Sequence, residues 1–435
     1  MILTKILQIL FWSSFIILFY TYIGYPLVIY LWSLVKPRPN KKGVFLPFIS
    51  IVMSVYNEER FIQYKIQNLL SLDYPRDRLE VVIISDGSTD RTVELIQPFL
   101  SNSVSLIENS QRKGKAYSLN EAHRICKGEI LCFTDVRQKL EENAISELMN
   151  NFFDATVGAV SGELIFVTGK KTLVGEGLDF YWRYEKFLRK RESLVDSTTG
   201  ATGGIYAIRK ELFQIIPEDI ILDDVLIPMQ GAVIGGYRCV FEEEAKAFDL
   251  VSNSSYQEAQ RKTRTIAGNF QLFSRYKWLN PHKNRIWFQT FSHKFLRLIA
   301  PLLLLFLLFS NSCLYQNWFY FSTLLMQIGF YYCGSIGFFL KRKGIKIKLF
   351  TLPYTFIMLN YFTIKAFWLF FVCGNVIWVK DRRKRMEDRR QQPFDRRRID
   401  RERAPTAIER RKGEKERRQE VEDRRKNIEE IIWID

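Results

Sequence analysis

Ile130-Leu131-Cys132-Phe133-Thr134-Asp135-Val136-Arg137 is the stretch whose reading decides the fold. Its apolar lead-in predicts a short buried strand, and Asp135 falls where that strand leaves its sheet. Open α/β sheets bind ligands outside the carboxyl ends of their strands. A carboxylate at that edge can hold a hard divalent cation, which takes oxygen ligands, against a diphosphate.

The sequence upstream repeats this pattern. Phe48–Val55, Leu79–Ser85 and Val104–Glu108 read as strands. Helices are expected to open at Tyr56-Asn57-Glu58-Glu59, to run from Asp90 to about residue 100, and to span residues 115–126. Strands alternating with helices predict a mostly parallel, wound α/β sheet. Two of its strands end in a carboxylate followed by turn-forming residues, at Asp86 and Asp135.

Apolar runs flank this domain. Residues 8–35 lie in a charge-free stretch between Lys5 and Lys36, long enough to span a bilayer. No small-residue cleavage site follows, so a retained anchor is expected, with the basic flank through Lys42 placing the next domain in the cytoplasm. Residues 276–297 mix aromatic and basic side chains, which predicts a helix lying in the membrane interface. Further apolar runs fill 298–379, with Lys365 inside the last of them, and the side of the membrane on which the chain then emerges stays open. Residues 380–435 carry acidic-Arg units at seven-residue spacing, broken by Pro393, Pro405 and Gly413. That predicts a charged, solvated tail able to dock on anionic lipid or an acidic partner. The expected organisation is therefore an N-terminal transmembrane helix (1–36), a cytoplasmic α/β domain (37–275), an interface helix (276–297), transmembrane helices (298–379) and the tail.

The 435 residues carry a formal charge of +17 and a pI of about 9.5. Positive-inside loops and the tail account for that charge; with apolar runs at both ends, nucleic acid is not an expected partner. Six cysteines without a C-x-x-C pair and three scattered histidines exclude a zinc or disulfide framework.

The motifs Ser54-Val-Tyr-Asn-Glu-Glu59, Ser85-Asp-Gly-Ser-Thr-Asp90, Lys113-Gly-Lys115, Phe133-Thr-Asp135, Leu222-Asp-Asp224 and Gln260-Arg-Lys-Thr-Arg264 occur in order. Together they resemble membrane-anchored family 2 glycosyltransferases of GT-A fold, on the branch of the cellulose, hyaluronan and poly-N-acetylglucosamine synthases. The resemblance covers roughly residues 48–275 and the surrounding helices.

Each motif also has its own chemistry. Asp86 and Asp90 suit contact with a base or ribose, or alternatively turn formation and helix capping. The resemblance makes Asp86 the uridine-contacting carboxylate, with Tyr56 helping to wall the base. The glycine turn before Lys115 suits phosphate, and the resemblance gives Lys115 a donor-binding role, with Asn120 nearby. Asp135 is the expected ligand for Mg²⁺ or Mn²⁺. The family's Asp-x-Asp is broken here by Arg137, which offers donors only and suits a diphosphate. The glycine-rich run Gly200–Tyr206 suits a plain turn or a close backbone approach, and the resemblance places Thr202 and Gly203 beside the acceptor. Asp223 and Asp224 form a carboxylate pair whose mutual repulsion and burial suit a general base. The resemblance makes Asp224 that base and Asp223 its neighbour. It places Gln260 near the acceptor, and Arg261 and Arg264 on the leaving diphosphate, where charge stabilisation counts most in a dry site. Thr265 stands where the processive synthases carry Trp.

The expectation is an inverting hexosyltransferase of a bacterial-type inner or plasma membrane. It would use a nucleotide-sugar donor, UDP-linked by resemblance, and a polysaccharide or lipid-linked acceptor, with membrane lipids and export or assembly machinery as partners. The alternative is a catalytically silent glycosyltransferase-like scaffold or nucleotide-sugar sensor.

Overall fold

A computed structural model describes residues 1–167, 175–250, 255–343, 345 and 347–372. The charged tail and its topology lie outside the described residues. The chain divides into a unit of Met1–Phe367 and a second unit of Trp368–Asp435, of which Trp368–Val372 form one π-helical turn.

The described residues form eight strands: β1 (Ile49–Val55), β2 (Leu79–Asp86), β3 (Val104–Asn109), β4 (Ile130–Thr134), β5 (Lys139–Leu140), β6 (Val157–Val167), β7 (Ile205–Arg209) and β8 (Arg238–Leu250). They form one sheet in the order β3-β2-β1-β4-β7-β6-β8-β5. β1 runs parallel to both β2 and β4, so Tyr56, Asp86 and Asp135 leave the sheet at one edge. β7 pairs antiparallel with β4 and β6, β8 runs parallel to β6, and β5 closes the edge antiparallel to β8. The expected mostly parallel sheet is thus parallel in its first half and mixed in its second.

The central strands are continuous apolar runs because both faces are covered. Ile51, Met53, Val81 and Ile83 face Ile62, Ile66 and Leu148 from the helices Ile62–Leu70 and Ala144–Asn151. Val52, Val82, Ile84 and Leu131 face Ala116, Leu119 and Leu226 from the helices Lys115–Ile125 and Asp223–Ile227. Each such side chain contributes roughly 1.5–3 kcal/mol by burial, so truncation in these layers unfolds the site as well as the core.

Two local expectations need correction. The helix expected at Tyr56 begins at Ile62, because Asn57 adopts φ 53° and its side chain is spent on the neighbouring loop. Residues 276–297 are not one interface helix. Turns occupy most of the first part, where Asn284 bonds to the Trp278 carbonyl and Trp278 and Ile286 are buried in the core of the sheet domain. From Trp287 the chain enters a long apolar helix.

Among the described residues, four helices are long and apolar enough to cross a membrane: Ile2–Val35, Trp287–Cys313, Trp318–Lys341 and Lys348–Val372. Phe11 of the first meets Tyr320 edge-to-face at 5.0 Å, and Leu18 packs with Ala300 and Leu303. Their outer faces expose Leu305, Phe309, Leu325 and Met326, an apolar surface that calls for lipid. The helix Gly175–Val195 joins this bundle to the sheet: Leu188 and Val195 pack on Tyr25 and Ile29.

Candidate active site

The edge is assembled by side chains that bind loops to one another. Asn57 accepts from the Thr89 N–H at 2.8 Å, and the Asn57 N–H donates to Ser88 Oγ. Asp90 accepts from the Thr92 N–H and hydroxyl and from the Glu59 N–H. Of the two roles open to Asp90, the structure thus shows the turn and helix-start role.

Asp86 is buried, and its two oxygens accept from the backbone N–H groups of Lys113 (2.7 Å) and Gly114 (2.9 Å). It therefore fixes the Arg112-Lys113-Gly114 turn. Gly87 (φ +69°) makes the approach feasible, since a Cβ there would meet Arg112 N at 2.6 Å. Arg112 in turn stacks over the Tyr56 ring at 3.9 Å. Asn120 is not at the donor edge: its amide clamps the backbone of Ile216 in both directions.

Gly114, at φ 103°, starts the helix that carries Lys115 as its first residue. Lys115 Nζ lies 3.0 Å from Asp135 Oδ1 and 3.1 Å from Asp223 Oδ2. Burial alone would depress its pKa, but Asp135 and Asp223 outweigh burial and hold it well above the usual lysine range. Asp135 is 44% exposed, and among the described residues only its Oδ1 is paired. The described residues contain no cluster of three metal-ligating side chains, so any cation here would depend on Asp135, water and substrate oxygens.

The turn after β4 is set from below by a buried lysine. Lys65 Nζ donates to Thr134 Oγ1 (2.9 Å) and the Gln138 carbonyl (2.6 Å), and burial lowers its pKa to about 7. Gln138 continues to Asp249 (3.0 Å), which lies 3.7 Å from Arg261 on the helix Ser255–Arg275. Arg137 leans away to Glu58 at 3.3 Å.

Asp223 and Asp224 open their helix from the other side of the cleft. Burial and then the Asp223 charge push the Asp224 carboxyl up to about 6, although Lys115 pulls it down. The Asp224 carbonyl accepts from Ala201 N–H at 2.9 Å, holding the glycine-rich turn against it. A Cβ on Gly203 would lie 3.2 Å from Asp224 Oδ2, so the backbone of residues 202–203 walls the carboxylate.

A cavity of about 810 Å³ connects these groups. Lys115, Asp135, Thr202, Gly203, Asp223, Asp224, Arg261, Arg264 and Thr265 all line it. Tyr56, Asp86 and Arg137 lie outside its lining, toward the β1–β2 edge, and Gln260 is exposed on its helix and does not line it either. The cavity also reaches Glu185, Arg189, His293, Lys294 and Arg297, which the sequence did not single out as functional. Their signal was present in Glu185, Arg189 and Glu192 at helical spacing within one otherwise amphipathic stretch.

The sheet order, the strand-edge carboxylates and the facing acid pair define a GT-A fold. A family profile described as Glycosyl transferase family 2 matches residues 50–216, and the chain carries a domain of that family. A mannosyltransferase from Pyrobaculum calidifontis, solved with GDP-Man and Mn²⁺, shares the fold at TM-score 0.62 and 21% identity, over 82% of this chain and 99% of that one. Among curated relatives, the probable glycosyltransferase YdaM of Bacillus subtilis is 31% identical over 146 residues, 32% of this chain and 34% of the relative. A poly-beta-1,6-N-acetyl-D-glucosamine synthase of Staphylococcus epidermidis is 24% identical over 236 residues, 53% and 56% of the two chains. The matched segments thus span about a third to just over half of these relatives' own length.

Proposed function

We propose that the protein is a membrane-anchored inverting glycosyltransferase that moves a sugar from a nucleoside-diphospho-sugar to a hydroxyl of a polysaccharide or lipid-linked acceptor. The observation that carries this reading is the cleft itself. A carboxylate tuned to about 6 faces, across one cavity, a strand-end carboxylate bridged to its neighbour by a lysine. The catalytic domain is assigned to the cytoplasm, where nucleotide-sugars are made and where the basic flank after residue 35 would hold it.

The chemistry follows from the side chains. At pH 7 Asp224 is mostly ionised and accepts the proton of the acceptor hydroxyl. That oxygen bonds to the anomeric carbon as the carbon–oxygen bond to the diphosphate breaks. The bonding pair leaves with the nucleoside diphosphate, and configuration inverts. Lys115 and Arg264 neutralise the departing diphosphate, with Arg261 beside them. Asp223 keeps Lys115 oriented, and the backbone at Thr202 and Gly203 positions the acceptor against Asp224. Tyr56, Asp86 and the turn it holds form the nucleotide end, and Arg137 can exchange Glu58 for a phosphate oxygen.

The partly exposed Asp135, with its unpaired oxygen, fits a Mg²⁺ or Mn²⁺ ion that shares ligands with the diphosphate and water. Such an ion supplies charge neutralisation on the leaving group. The mannosyltransferase solved with GDP-Man and Mn²⁺ supports a nucleotide-sugar donor and a divalent cation here. The relation to poly-beta-1,6-N-acetyl-D-glucosamine synthases supports a polysaccharide product, while Thr265 in place of a stacking aromatic favours short products. Release of nucleoside diphosphate by the reconstituted chain, coupled to sugar appearing on an acceptor and abolished in Asp224→Asn, tests the reading. Nucleotide binding without transfer would refute it in favour of a sensor.

A further inference from the structure

The cavity does not end at the carboxylates. It continues between the apolar helices, where its walls include Arg189, Lys294, Arg297, Asn360 and Thr363. Over the whole lining, seven Lys and Arg stand against four Asp and Glu. The sugar-transfer reading uses the cations at the sheet end; those at the membrane end need another explanation.

Most of the acidic oxygens nearby are paired, and Glu192 Oε2 is buried without a partner among the described residues. Glu185 accepts from Arg297 and faces His293 Nε2 at 3.1 Å. His293 Nδ1 faces Glu192 at 2.7 Å, and Tyr25 donates its hydroxyl to that same Glu192 oxygen at 2.6 Å. Arg297 Nε and Nη2 are buried with no partner among the described residues. Lys294 and Arg189 form no ion pair among the described residues either. Charge lining a cavity without a counter-ion is costly and marks a ligand path. Arg189 lies within Coulombic reach of both Lys294 and Asp224, so the cationic end adjoins the base.

We infer that the membrane end of this cavity, at Arg189, Lys294 and Arg297, binds the phosphate headgroup of a membrane lipid that carries the acceptor. This rests on the transfer reading and narrows its acceptor to a sugar hydroxyl carried on a lipid phosphate. Three cations around one chamber suit a phosphate, which offers charged acceptor oxygens to Arg189 and Lys294. A neutral glycan would leave Arg189 and Lys294 without a counter-charge. The flanking helices supply an apolar route for acyl or prenyl chains, and Tyr22, Tyr181 and Tyr184 line the same cavity.

The test is a thermal-shift titration of the full chain in neutral detergent, with dioctanoyl phosphatidic acid, dioctanoylglycerol and inorganic phosphate as probes. Saturable stabilisation by the phosphatidic acid alone is expected. Lys294→Gln and Arg189→Gln should each weaken it about tenfold, the worth of one charge-assisted contact, and Lys294→Arg should restore it. Nucleoside diphosphate binding, measured by calorimetry, should persist in both Gln variants, which shows that they fold. Equal stabilisation by the diacylglycerol, equal stabilisation by inorganic phosphate, or unchanged affinity in the folded Gln variants would each overturn the inference. Lipid binding as expected without sugar transfer would instead count against the proposed function and leave this site standing.

Discussion

Replacing Asp224 with Asn should separate activity from stability in opposite directions. The carboxyl is raised to about 6 from an ordinary 3.8, so its folded state prefers the proton. A raised acid adds stability at low pH that is lost as pH rises from about 4 through about 6. At pH 7.5 the ionised group therefore costs the fold at most about 3 kcal/mol, taking 1.36 kcal/mol per unit. Asparagine is isosteric and uncharged, and the backbone bond from Ala201 to residue 224 remains. The variant should melt higher at pH 7.5, by up to about 6–12 °C, and the gain should vanish near pH 4. Its turnover should fall by about 10²–10⁴, the usual contribution of a general base. Nucleoside diphosphate affinity should not change. Differential scanning fluorimetry and nucleotide-release kinetics on the same preparation read both effects. A variant that retains activity within tenfold, or that melts lower at pH 7.5 than the parent, would refute the assignment of a strained base.

Other perturbations have equally definite outcomes. In the parent, log kcat should rise with pH at unit slope below about 6 and level off above it, as Asp224 ionises; Lys115→Met removes the charge that pulls this pKa down, so the limb should move upward by about one unit. Gly203→Ala places a methyl 3.2 Å from Asp224 Oδ2 and should cut turnover about tenfold or more while leaving the melting temperature within about 2 °C. Gly87→Ala should destabilise the domain by roughly 1–3 kcal/mol, because it forces a side chain at φ +69° into the Arg112 backbone; chemical denaturation measures it. Glu185→Gln strips the partner from buried Arg297 and should lower stability by about 3–5 kcal/mol without changing nucleotide affinity. Chelation should abolish transfer and Mn²⁺ or Mg²⁺ should restore it, which a metal-titrated activity assay checks.

The first half of the sheet was legible because each strand is a continuous apolar run closed by a turn motif. Two-sided burial of β1, β2 and β4 writes that signal directly into sequence. The second half was not. β8 carries the charged run Glu242-Glu243-Glu244 across a register shift against β6, and β6 itself is interrupted by Gly158 and Gly162. Both glycines are packing requirements: a Cβ at either would meet a neighbour at 2.5–2.6 Å. Periodicity fails at such bulges. In the site, Lys115, Asp135, Asp223 and Asp224 were legible as strand-edge and helix-start charges, and they converge on one cavity. Gln260 was read by motif, yet it points outward, because helical phase turns Arg261, Arg264 and Thr265 to the cavity instead. Arg189, Lys294 and Arg297 escaped notice because lysine and arginine near apolar runs read as snorkelling anchors. Only tertiary packing shows that they turn inward.

The central claim is sugar transfer through Asp224. The most direct measurement incubates the full chain, reconstituted in lipid, with UDP-, GDP- and dTDP-sugars and Mn²⁺ or Mg²⁺, sizing the product beside an Asp224→Asn control. Nucleoside diphosphate released in step with a glycosylated acceptor, and lost in the control, is the predicted result. Donor bound without turnover by the parent, or equal turnover in the control, would contradict the account.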